Sequence, residues 1–326
     1  MPKSIDLAKI KKMLIQHGEK TIRSFAKTSH NKDVYAFVLD AQATHGSVNF
    51  RWNTLEGIAY TCTFDSYKNY TDDRLYGHRG LKYSVGDFRF EDPGNEKLEK
   101  WGMKYEEVLD ILWETDEDQA EQIPAAFMDV LIQVVKELIP VLEELHLTDD
   151  FIAYAVEHDE EDMKFIPQTV SPAQLEKVFP ELKAYEAYKE RIGLRPPIDQ
   201  AAFWCQTLAD FEEACESEAV VELRRLSRHS FDVQEELVRL GEVSVPILIT
   251  YLERALDQLP AQTSINDRLN VWTYQSTLID IAKARETEIS RLQAIYARLN
   301  QDRPENQDTK NTLRVLHAID PLRFPN

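Results

Sequence analysis

The residue types in this 326-residue chain that could do chemistry fall into a few short clusters. His158-Asp159-Glu160-Glu161-Asp162 follows an apolar run with a row of ligating side chains. A hard cation or an acid/base pair uses such groups. A calcium loop, however, needs its oxygens at fixed offsets, with a central glycine and a bidentate glutamate at its twelfth position. No glycine is present here, and Met163 and Phe165 interrupt the set, which favours a solvated loop. Asp116-Glu117-Asp118 reads the same way. Gly77-His78-Arg79-Gly80 has the makings of an anion-binding turn, since its glycines permit backbone approach and Arg79 carries a planar fork. It lacks the lysine of a P-loop and no helix start follows it, so an ordinary loop is favoured.

Nucleophiles are equally sparse. GxSxG, HExxH and CxxC are absent. Cys205 and Cys215, read as one helix, lie roughly 15 Å apart at 1.5 Å per residue, too far for a disulfide. Both fall on an apolar stripe that predicts core, and Cys62 reads as a buried small hydrophobe. The eight histidines are dispersed, and His17 sits on the buried face of the first helix, where packing is the simpler role. A triad assembled only in space stays open. The expectation is a protein with no catalytic residues, no metal and no cofactor.

Charge is more informative than any motif. The chain carries 57 acidic and 38 basic side chains, a net charge of −19. Residues 1–90 hold 14 Lys+Arg against 9 Asp+Glu, while residues 91–164 hold 5 against 23. The excess acid is therefore concentrated in the middle of the chain. Such a field repels nucleic acid and anionic lipid and speeds encounter with a basic partner, or else serves only to solubilise. Composition is that of a globular protein, excluding collagen, a disordered tail and a disulfide scaffold. No apolar run reaches the ~18 residues of a membrane span, and the basic opening lacks the core of a signal peptide. A cytoplasmic location is expected.

The elements that must position these groups change character along the chain. Ile10, Met13, Leu14, His17, Thr21 and Phe25 have helical spacing. Val34–Leu39 is apolar throughout, as in a strand covered on both faces. Val48–Trp52 and Ile58–Phe64 alternate, and Leu81–Phe90 alternates with a bulge at Gly86, which together predict a meander. Helices are expected over 98–112 and from Pro124 onward, with Pro140 kinking or ending the second. Phe151–Val156 predicts a further strand, and Ser171-Pro172-Ala173-Gln174 a capped helix. Gly193–Pro197 reads as a linker, and beyond it only helical stripes recur. The expected organisation is an α+β domain over 1–192, mainly an antiparallel sheet with flanking helices, and an all-α domain over 198–326. Asp232–Leu256 has the pattern of a HEAT-like hairpin, with an irregular bundle the alternative.

Three stretches of the first half, VYAFVLDAQATHGSVNFRWNTLEGI, VGDFRFEDPGNEKLEKWGMKYEEVLDIL and FIAYAVEHDEEDMKF, resemble a bacterial domain family of unknown function found near polymorphic-toxin and immunity loci. The resemblance covers about residues 1–190. It implies a setting, a bacterial cytoplasm and a role in interaction or neutralisation, with no catalytic residues attached. With the charge map, it leads to an immunity-type protein that binds a cognate basic toxin. The candidate contact residues are Asp116, Glu117, Asp118 and Glu121, with Asp159, Glu160, Glu161 and Asp162. Trp113 and Phe127 are possible anchors, although their stripes predict core. A helical adaptor, with recognition in residues 198–326, and a hydrolase are the competing expectations.

Overall fold

The structure is a computed structural model that describes residues 5–158, 164–258, 269–302 and 304–325. The chain divides into two compact units, residues 1–182 and 183–326.

Helix α1 (Leu7–Phe25) opens the first unit, capped by Asp6, whose carboxylate accepts from the Lys9 amide at 2.9 Å. Strands β1 (Val34–Gln42) and β2 (Ser47–Thr54) form an antiparallel hairpin. Helices α2 (Leu55–Thr61) and α3 (Asp72–Leu75) are short, and β3 (Phe90–Glu91) then pairs with β2. Helices α4 (Glu96–Thr115) and α5 (Glu117–Leu142) lead to β4 (Leu147–Glu157), which runs parallel to β1. The sheet order is β3-β2-β1-β4. Helix α6 (Pro172–Val178) is capped by Ser171, and α7 (Pro180–Gly193) contains the division between the units.

Strand β1 is apolar from Val34 to Leu39 because both of its faces are covered there. Val34, Phe37, Leu39 and Ala41 join Leu14 of α1, Leu109 of α4 and Leu131 of α5 in one core. Tyr35, Ala36 and Val38 join Tyr83, Phe88, Tyr154 and Phe179 in another. Tyr35 and Ala36 turn to the same side because the register with both neighbours shifts between Val34 and Ala36, a bulge.

Two expected strands are absent. Ile58–Phe64 does not alternate across a sheet: Thr54 accepts from the Gly57 amide at 2.9 Å and starts α2 there. A helix of this length covers too few turns for its period to stand out, and Tyr60 and Phe64 are exposed. Leu81–Phe90 spends its backbone on two tight turns, Leu81–Tyr83 and Val85–Asp87. The Asp87 carboxylate organises them, accepting from Ser84 at 2.6 Å and from the Tyr67 hydroxyl at 2.5 Å. Only Phe90 and Glu91 reach the sheet. Helix α5 begins earlier than Pro124, at Glu117, because Asp116 caps it, and it ends just past Pro140.

The second unit is helical throughout its described residues. Its helices are α8 (Pro197–Glu212), α9 (Glu218–Arg225), α10 (Ser230–Leu240), α11 (Val245–Gln258), α12 (Leu269–Ile281), α13 (Glu286–Asp302) and α14 (Gln307–Ile319). Tyr185, Tyr188 and Ile192 pack in this unit's core with Trp204, Leu237, Leu252 and Leu292, so the Gly193–Pro197 segment joins two helices of one core. The helical pair expected over Asp232–Leu256 is present, broken at Gly241, but α10 lies chiefly on α8, and α11 on α12. Cys205 is buried on α8, whereas Cys215 lies past the helix end and is exposed, which corrects its assignment to the core. Cys62 is half-buried.

Candidate protein-binding surface

Helix α4 turns its apolar stripe inward, burying Tyr105, Leu109 and Leu112, and leaves the opposite face to solvent. Met103, Glu107, Asp110 and Glu114 follow one another along that face at helical steps of three and four. Asp116 then ends α4 and begins α5, its carboxylate accepting from the Gln119 amide at 3.2 Å. Glu117 and Asp118 occupy the first turn of α5, and Glu121 the next, all exposed. No lysine or arginine lies between Lys104 and Lys136. Among the described residues, Glu107, Asp110, Glu114, Asp116, Glu117, Asp118 and Glu121 have no ion-pair partner.

These carboxylates have opposite relations to the two helices. Asp116, Glu117 and Asp118 lie at the N-terminus of α5, where the helix dipole favours negative charge. The same acids, with Glu114, crowd the C-terminus of α4, where the dipole disfavours it. Apolar side chains are interspersed. Met103 is 62% exposed, Ile111 48% and Trp113 43%. Trp113 is thus exposed, against the expectation of core, while Phe127 is fully buried against Tyr105 and Trp101. Met103, Glu107, Asp110, Ile111 and Glu114 were not singled out from sequence. Their signal was there, as residues that fall off the inward stripe of α4.

The N-terminal end of this face borders a cleft of about 290 Å³ between α4 and the β1–β2 turn. Gln42, His45, Asn49, Glu99, Met103 and Glu106 line it, and His45 pairs with Glu106 at 2.7 Å. Close approach of the turn depends on Gly46. Its φ is +64°, and a Cβ there would lie 2.6 Å from the Tyr105 ring. Beneath, His17 donates from Nε2 to Asp92 at 2.5 Å, and Asn95 donates to its Nδ1 at 3.0 Å. Asp92 also accepts from the Phe50 amide at 3.2 Å. The imidazole is packed edge-on to Phe50 and stitches α1 to the sheet.

The other clusters are structural in their visible contacts. Asp40, 3% exposed, sits between His158 Nδ1 at 2.9 Å and Arg51 Nε at 3.1 Å. His78 is buried, and its amide donates to Glu181 at 2.8 Å. Burial pushes the Glu181 carboxyl up, but hydrogen bonds from the His78 ring and backbone outweigh it and hold the group below its ordinary value. The Gly77–Gly80 turn thus closes on a carboxylate of its own chain. Burial pushes the Cys205 thiol up, away from the thiolate that a nucleophile needs. The second acidic set, Asp159, Glu160, Glu161 and Asp162, lies outside the described residues. Among the described residues, no group of three or more His, Cys, Asp and Glu could hold a metal, and no helix is long and apolar enough to cross a membrane. The chain matches no protein-family model, no curated protein and no solved structure.

Proposed function

We propose that this chain is a non-catalytic protein-binding protein of the immunity type, which neutralises a cognate basic toxin by covering its working face. The observation that carries this reading is the outer face of α4 and the start of α5, where a stripe of carboxylates without ion-pair partners runs on from exposed Met103 and is flanked on its two sides by exposed Ile111 and Trp113. Apolar side chains on both flanks of a charged stripe give a partner contacts to bury beside the charges it pairs with. Many toxins that act on nucleic acid are basic to hold phosphate, and an acidic face of this kind imitates the phosphate charge. The crowding of acids at the C-terminus of α4 is relieved by a cationic partner, which adds a second support. Nucleic acid and anionic membrane are not expected partners, and the bacterial cytoplasm is the proposed setting.

The test is co-expression with the product of the immediately neighbouring gene, read by growth rescue and pull-down. Rescue with a stable complex whose association slows in high salt is the expected result. Charge reversal at Asp116, Glu117, Asp118 and Glu121 should slow association at low salt, and Trp113→Ala should speed dissociation. Rescue without a complex would replace this reading with an enzyme that undoes the damage. A complex formed by residues 183–326 alone would replace it with a helical adaptor.

A further inference from the structure

The second unit contains a cleft of about 660 Å³ between α7, α8 and α9, within the size range of small-molecule sites. One wall alternates arginine and aromatic rings. The Arg191 guanidinium lies 4.9 Å from the Tyr188 ring centre and that of Arg195 lies 4.7 Å from the Phe203 ring centre, and the two rings are neighbours. Stacking holds each guanidinium in place while leaving its donors unspent. Neither forms an ion pair or a side-chain hydrogen bond among the described residues, in a chain with 57 acidic side chains.

A further donor opens onto the same cleft. Tyr188 is only 7% exposed, yet it lines the cleft, and its hydroxyl has no hydrogen-bond partner among the described residues. Burial raises the hydroxyl's pKa, and Arg191, Glu222, Arg195 and Glu218 all act on it electrostatically, so it sits amid both walls. The facing wall is acidic. Glu222 pairs with Arg225 at 3.2 Å and Asp210 accepts only from the Gln206 amide at 2.7 Å, so Asp210 and Glu218 are both without a cation among the described residues.

We propose that this cleft binds a zwitterion of amino-acid or short-peptide type, its carboxylate on Arg191, Arg195 and the Tyr188 hydroxyl and its ammonium toward Glu218. A phosphorylated ligand would gain the arginines but meet the opposite carboxylates, and a neutral apolar one would strand the Tyr188 hydroxyl. The inference is independent of the acidic surface on α4.

Isothermal titration calorimetry on the full chain tests it, with the tripeptide Gly-Gly-Tyr, its C-terminal amide, its N-acetyl form and inorganic phosphate as probes. The free tripeptide should bind, and each blocked form should lose about tenfold or more, the loss of one charge-assisted contact. Arg191→Gln, Arg195→Gln and Glu218→Gln should each weaken the tripeptide about tenfold, and Tyr188→Phe about fivefold, with unchanged circular dichroism. Equal binding of free and blocked peptides, indifference to the arginine and Glu218 variants, or no heat with the tripeptide at millimolar concentration would overturn the proposal. Phosphate binding tighter than the tripeptide would also overturn it, in favour of a site for anions only.

Discussion

If the outer face of α4 is shaped for a partner rather than for its own unit, removing its central charge should stabilise the free chain. Asp110 is the position to change. It lies four residues after Glu106, three after Glu107 and four before Glu114, so it takes part in three like-charge contacts on one exposed face. Each such pair costs about 0.2–0.5 kcal/mol, so Asp110→Asn should gain roughly 1 kcal/mol. Asp110→Lys converts the three repulsions into attractions and should gain roughly 2 kcal/mol, part of it from the ~0.3 kcal/mol better helix propensity of lysine. Hydrogen exchange of the α4 amides reads this locally, and gains of that size correspond to about a five- to thirtyfold rise in protection. The control is salt. At 0.5 M NaCl the screening length falls to about 4 Å, and only the propensity share should survive. Unchanged or lower protection at low salt, or a gain that persists in high salt, would refute the reasoning. In the toxin assay both variants should work in the opposite direction, slowing capture while the free protein becomes more stable.

Three further outcomes follow from the geometry. Gly46→Ala should destabilise the first unit by about 1–2 kcal/mol from its left-handed backbone alone, with contact against Tyr105 adding to it; urea unfolding measures this, and a neutral result would mean that the turn moves freely away from α4. Glu212 has a carboxyl that burial holds above its ordinary range, against the opposing hydrogen bonds of Thr273 and Ser230. Its folded form therefore holds the proton more tightly than the unfolded chain does, and the stability it contributes at low pH is lost as pH rises through the raised folded value. Glu212→Gln should accordingly raise the melting temperature at pH 8 and give no gain near pH 4. Cys215 should react with a thiol reagent in the native protein, Cys205 only after denaturation, as followed by absorbance on mixing.

How much of this was legible in the sequence depended on how local the cause was. The run VYAFVL announced a strand covered on both faces, and Ser171 announced its helix start, because periodicity and capping act within a few residues. Ile58–Phe64 misled because seven residues of helix and an alternating strand share a pattern. The parallel pairing of β1 with β4 could not be read, since nothing local encodes which distant strand takes an edge. Location of the acid was plain, yet its relation to Met103 and Trp113 emerges only once α4 has chosen which side to bury. The cleft beside Tyr188 was invisible, because three helices and two stacked arginines create it by packing.

The parallel neighbour of β1 also sets an order of events during synthesis. Strand β1 is complete at Gln42, but β4 starts only at Leu147, after α4 and α5. At about 5–20 residues per second, roughly 5–20 s pass on the ribosome before the strand that closes β1's second edge is made. Through that interval a strand destined to be buried from Val34 to Ala41 has one neighbour and an open row of backbone donors and acceptors, an arrangement prone to wrong pairing. Nascent chains arrested before Leu147 should accordingly be held by chaperones, and those arrested well past Glu157 released, which ribosome-bound crosslinking would reveal. The acidic helices made in the meantime would then act first as a charged shield for their own unfinished sheet.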